Sequence, residues 1–67
     1  MRADEIRELT DVDLRARLAE LEEERFRLRF RAATQPLEEP LRLRHIRKDI
    51  ARLKTVLRER ELAATRR

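Results

Sequence analysis

Cysteine is absent from the chain and histidine occurs once, so neither a disulfide framework nor a cage of His and Cys metal ligands can brace the fold. With no glycine and two prolines, nothing reads as a flexible linker or a glycine-rich phosphate loop. Serine and tyrosine are missing as well, and the four threonines fall at cap, turn, helix and tail positions with no base aimed at them. His45 falls on the polar side of its segment, and the carboxylates cluster or sit at helix starts, positions that favour solvation. The expectation is a protein that is not an enzyme and has no cofactor or metal. No apolar run exceeds three residues, and the opening MRADEIREL lacks the apolar stretch of a secretory leader, so a cytoplasmic protein with no membrane span is expected.

Charge dominates what remains: Asp, Glu, Lys and Arg make up 48% of the 67 residues, and aromatics only 3%. Such a balance suits disorder unless the apolar residues are periodic, and here they are. A chain of this length is one domain at most, and its core supplies only about 3 to 5 kcal/mol. A partner surface is therefore the remaining source of support.

Arg2 to Leu9 have the makings of two helical turns, with Ile6 and Leu9 as their apolar positions. Thr10 is a good N-cap, and Asp11 and Asp13 follow it where carboxylates complement the positive end of a helix dipole. Leu14, Leu18, Leu21, Arg25, Leu28 and Ala32 then recur in steps of three and four, which lays them along one seam of a helix. Thr34-Gln35-Pro36 stops it, because proline lacks an N–H and clashes with the preceding turn. Pro40 suits the first position of a second helix, with a seam of Leu43, Ile46, Ile50, Leu53 and Leu57. A connection this short makes the two helices antiparallel neighbours. The expected fold is all-α, a long antiparallel two-helix hairpin with a short N-terminal helix. As one domain, it divides into a short helix over 1–9, a first long helix over 10–34, a turn over 35–39, a second long helix over 40–61 and a basic tail over 62–67.

The net charge of +4 is unevenly placed: residues 1–24 hold four basic and nine acidic groups, whereas residues 41–67 hold ten basic and three acidic. Sixteen of the 18 basic residues are Arg, whose planar fork suits bidentate contact with phosphate. On a helical projection Arg44, Arg47, Lys48, Arg52 and Arg58 make a stripe that begins beside the second seam. A row of cations on a rigid rod can follow a phosphate backbone and release its counterions. The competing reading is a solvated face whose arginines pair with carboxylates, as Arg58 would with Glu61 or with the acidic first helix.

In RFRLRFR the arginines alternate with apolar residues, yet the leucine seam runs through the segment unbroken, so it belongs to the helix. Phe26, Phe30 and Ala33 then form a second apolar stripe away from the seam. Two uses are open for it: packing against another element such as the N-terminal turns, or contact with a partner protein or an RNA base.

The run PLRLRHIRKDIARLKTVLRERE, preceded by RLRFRAAT, resembles the bacterial large-subunit ribosomal protein family L29, and the likeness extends from MRADEIREL to Glu61. It implies a helical hairpin bound to large-subunit ribosomal RNA near the exit of the nascent-peptide tunnel. The implied surroundings are a neighbouring protein of the L23 family and the rim where signal recognition particle or nascent-chain chaperones dock. Carried over position by position, Arg29, Arg31, Arg44, Arg47, Lys48, Arg52, Lys54 and Arg58 are the RNA-binding residues the resemblance implies, and Phe26 and Phe30 are candidates for protein contact. The turn departs from the family pattern, with Gln35 where glycine is common and Glu39 where an asparagine cap is common.

Two other classes fit the composition. One is a protein-binding coiled-coil module with no RNA role, which the seam residue Arg25 would permit. The other is a DNA-compacting basic protein, for which no groove-reading motif is present.

Overall fold

The computed structural model describes residues 2–34 and 40–65, and contains three helices: α1 (Ala3–Arg7), α2 (Asp11–Thr34) and α3 (Pro40–Thr65). The expected turn over 35–39 and the last two arginines lie outside the described residues. At 1.5 Å per residue the two long helices run about 36 and 39 Å. The molecule is accordingly a rod of 50 × 18 × 16 Å.

The start of α2 follows from one side chain. Thr10 accepts the Asp13 backbone N–H on Oγ1 at 3.2 Å, and its carbonyl accepts the Leu14 N–H at 2.8 Å, so two donors left over at a helix start are satisfied by one residue. Asp11 and Asp13 occupy the first turn, and Arg31 the last, as the dipole favours. α1 is shorter than the two turns expected, and a hydrogen bond from the Leu9 N–H to the Ile6 carbonyl at 3.1 Å closes it. α3 is longer than expected and continues four residues past Glu61. Leu62, Ala63 and Ala64 are strong helix formers, and Thr65 ends the run by donating its hydroxyl to the Leu62 carbonyl at 3.0 Å.

The seams meet much as their spacing requires. Leu14 and Leu21 of α2 are buried against Ile46, Ile50 and Leu53 of α3, with Leu18, Leu28 and Leu57 packed at the margin. Antiparallel pairing is marked by three ion pairs: Asp11 with Arg60, Glu22 with Lys54, and Glu24 with Arg42. Toward the tip the seam fades: Arg25 is only half-buried and Ala32 is exposed, a single methyl being too small to reach across.

Two core residues lie off the seams. Ile6, fully buried, and Val56 bring α1 onto α3. A five-residue helix has no stability of its own, so α1 exists by this docking. Arg60 secures the junction, donating to the Asp11 carboxylate at 2.7 Å and to the Arg7 carbonyl at 3.0 Å. No helix among the described residues is long and apolar enough to cross a membrane.

Candidate nucleic-acid interface

Antiparallel folding rearranges the charge. The C-terminal half of α3 lies along the acidic N-terminal half of α2, so its cations are met by carboxylates. Lys54 approaches Glu22 at 3.3 Å, Arg60 approaches Asp11 at 2.7 Å, and Arg58 approaches Glu61 at 3.5 Å. Residues 2–24 and 49–65, the base of the hairpin, carry eight basic and twelve acidic groups. Residues 25–34 and 40–48, next to the tip, carry eight basic groups and no carboxylate. The basic field expected over 41–67 is therefore concentrated in the tip half by the fold, and α2 contributes half of it.

Within that half the flanks of the rod differ. The Glu22–Lys54 bridge marks one flank, and residues seven apart on a helix return to nearly the same angle. Arg29 accordingly stands above Glu22, and Arg47 above Lys54. Arg44 is one turn from Arg47 in the direction of the tip. The opposite side of α3 carries Val56, Arg60 and the docked α1. Arg29, Arg44 and Arg47 are thus exposed on the flank that α1 leaves open, and none of them has an ion-pair partner among the described residues.

The other residues assigned to RNA are more scattered. Lys54 and Arg58 lie on the open flank but are held in their bridges. Lys48 is exposed on the back of α3, and Arg31 on the far side of α2. Arg52 lines a shallow groove between α1 and α3 with Ala3, Ile6 and Thr55, and it has an intramolecular partner. The eight therefore do not form one surface; Arg29, Arg44 and Arg47 form its open centre, with Lys54 and Arg58 continuing it toward the base. The competing reading of arginines paired across the hairpin holds for the base, and it holds at the tip for Arg42, whose Nε and Nη2 reach Glu24 at 2.9 and 2.6 Å.

Phe26 and Phe30 are 70% and 68% exposed, so of the two uses open to them, packing within the chain is not the one taken. The reason is reach: Phe26 lies about 24 Å along α2 from Thr10, at 1.5 Å per residue, while α1 folds back at the base. Both rings lie beside the open flank, Phe26 one turn beyond Glu22 and Phe30 one turn further. His45 is also exposed. Among the described residues no group of three His, Cys, Asp or Glu side chains could hold a metal ion.

The cations are plain in the sequence; their inequality is not. The missing signal was available in part: Val56 is an apolar residue one position before the seam residue Leu57, and such a neighbour marks a second contact face on the same helix.

Comparison with known proteins gives the chain a family. The family described as Ribosomal L29 protein matches residues 4–60. Among similar proteins, one from Gemmatimonas aurantiaca is 73% identical over 96% of each chain. One from Natranaerobius thermophilus is 61% identical over 92% of this chain and 95% of its own, and one from Geobacillus stearothermophilus is 54% identical over 98% and 100%. All three bear the name large ribosomal subunit protein uL29. A family match over residues 4–60 and relatives alike along nearly their whole length place this helical hairpin, its seams spent on each other, in the Ribosomal L29 protein family.

Proposed function

We propose that the chain is a structural, non-catalytic constituent of the large ribosomal subunit, held on ribosomal RNA by the open flank of its tip half. The observation that carries the mode of binding is the trio Arg29, Arg44 and Arg47, exposed and without ion-pair partners among the described residues, in helix segments 25–34 and 40–48 that carry no acidic residue. Family membership supports the ribosomal setting, since the relatives are named large-subunit proteins. An intermolecular coiled coil has no such support, because the leucine seams that would zip to another chain are used inside the hairpin.

The finer placement carries over from the family resemblance. It puts the chain beside an L23-family protein near the peptide exit, at a rim open to signal recognition particle or nascent-chain chaperones, and makes the protein cytoplasmic and ribosome-bound. Crosslinking of assembled subunits, with neighbours identified by mass, tests that placement.

The binding mode is tested by salt. Each phosphate neutralised on a duplex contributes about 0.9 to the slope of log affinity against log salt. Replacing Arg29, Arg44 and Arg47 together by Gln lowers that slope by about 2 to 3 for large-subunit RNA. An unchanged slope would show that the cations holding the RNA are elsewhere.

A further inference from the structure

Phe26 and Phe30 are the two aromatic residues of the chain, and both face solvent. They sit one helical turn apart, where neighbouring side chains stand about 5 to 6 Å from each other. Arg29 lies on one side of the pair and Arg27 on the other, each about 60° around the helix from the nearer ring. Arg27 is tethered to Glu23 one turn below, and Arg29 has no ion-pair partner among the described residues. The rings therefore lie between two guanidinium groups, at the edge of the flank that carries Arg44 and Arg47.

Charge selects the occupant of this stripe. Arg27 and Arg29 flank it and Arg44 and Arg47 stand on the same open flank, while the carboxylates one turn below, Glu22 and Glu23, are paired with Lys54 and Arg27, so a polyanion fits where a basic protein surface does not. Area argues against a second copy of the chain. Two phenylalanines supply at most about 500 Å², well short of the roughly 800 Å² per partner of a stable interface. An exposed aromatic face offers an unpaired nucleotide what it cannot offer a duplex, whose bases are already stacked.

We propose that Phe26 and Phe30 form a stacking platform for unpaired bases of the RNA whose phosphates are held by Arg29, Arg44 and Arg47. This deepens the RNA-binding reading and rests on it. The cations fix the backbone, and the rings choose a loop or bulge over a regular helix.

The test uses the full chain and two labelled RNA hairpins of equal length and charge, one with a bulge of unpaired adenosines in its stem and one with that stem fully paired. Wild type binds the bulged RNA more tightly. Phe26→Ala with Phe30→Ala lowers that affinity about tenfold or more, leaves the paired RNA unaffected and leaves the salt slope unchanged. Phe26→Tyr with Phe30→Tyr restores binding, whereas Leu at both positions does not, which separates stacking from mere apolar contact. The rings are exposed, so the helical circular dichroism of all variants should match wild type. Equal affinity of wild type for both RNAs, or rescue by Leu, overturns the platform while leaving the phosphate contacts intact. Loss of assembly into subunits with no change in RNA affinity overturns it too, and assigns the rings to a protein neighbour. Failure of wild type to bind either RNA at about 0.1 M salt, where phosphate contacts still hold, overturns the RNA reading along with it.

Discussion

Ile6 offers the sharpest test of how the fold is held. Its side chain is fully buried, yet it belongs to a five-residue helix joined to the hairpin at one end only. Ile6→Ala removes three carbons, worth about 2.4 kcal/mol at roughly 0.8 kcal/mol per methylene. In a closed core a cavity term would add to this, as in large-to-small replacements that reach about 5 kcal/mol. Here the adjoining groove between α1 and α3 is already open, so α1 can settle or detach and little is added. Against a total of about 3 to 5 kcal/mol for so small a core, half or more of the stability is lost. At roughly 4 to 8 °C per kcal/mol, Tm falls by about 10 to 20 °C. Thermal unfolding followed by circular dichroism at 222 nm measures this, with Val12→Ala as control, since Val12 is 77% exposed and its loss should cost under about 0.5 kcal/mol. A fall in Tm for Ile6→Ala no larger than that of the control would refute the docking of α1 as a source of stability.

Two further outcomes follow from local contacts. Thr10→Ala removes the side-chain cap on the Asp13 N–H, which costs about 1 kcal/mol and lowers Tm by about 4 to 8 °C; Thr10→Ser should recover most of it. Glu22→Gln releases Lys54 from its 3.3 Å bridge and removes a carboxylate from the open flank. RNA affinity at low salt should rise several-fold and the salt slope steepen by up to about 1, with little change in Tm because exposed pairs contribute under about 1 kcal/mol. Weaker binding by this variant would place the RNA on another flank.

Much of the fold could be read in one dimension. The steps of three and four name the residues of both seams, Thr10 fixes the start of α2, and Pro40 opens α3. These are local properties: the period of a helix and the chemistry of its ends depend on residues within a turn or two of each other. The end of α3 is less legible because Leu62 to Ala64 add nothing to the seam while retaining high helix propensity.

The sequence by itself determined that the chain is helical, that it reverses once between its two long helices, and how much charge it carries. Only the tertiary structure decided which of those charges remain available. A count along the chain puts the acidic block first and the basic block last, but reversal lays one beside the other. Carboxylates of α2 meet Lys54 and Arg60, while Arg29, Arg44 and Arg47 are left without ion-pair partners among the described residues. The same geometry sets α1 against Val56 at the base and leaves Phe26 and Phe30 bare near the tip. Coulomb attraction and burial act through distances in space, and residues 32 or 49 positions apart become neighbours only when the hairpin closes.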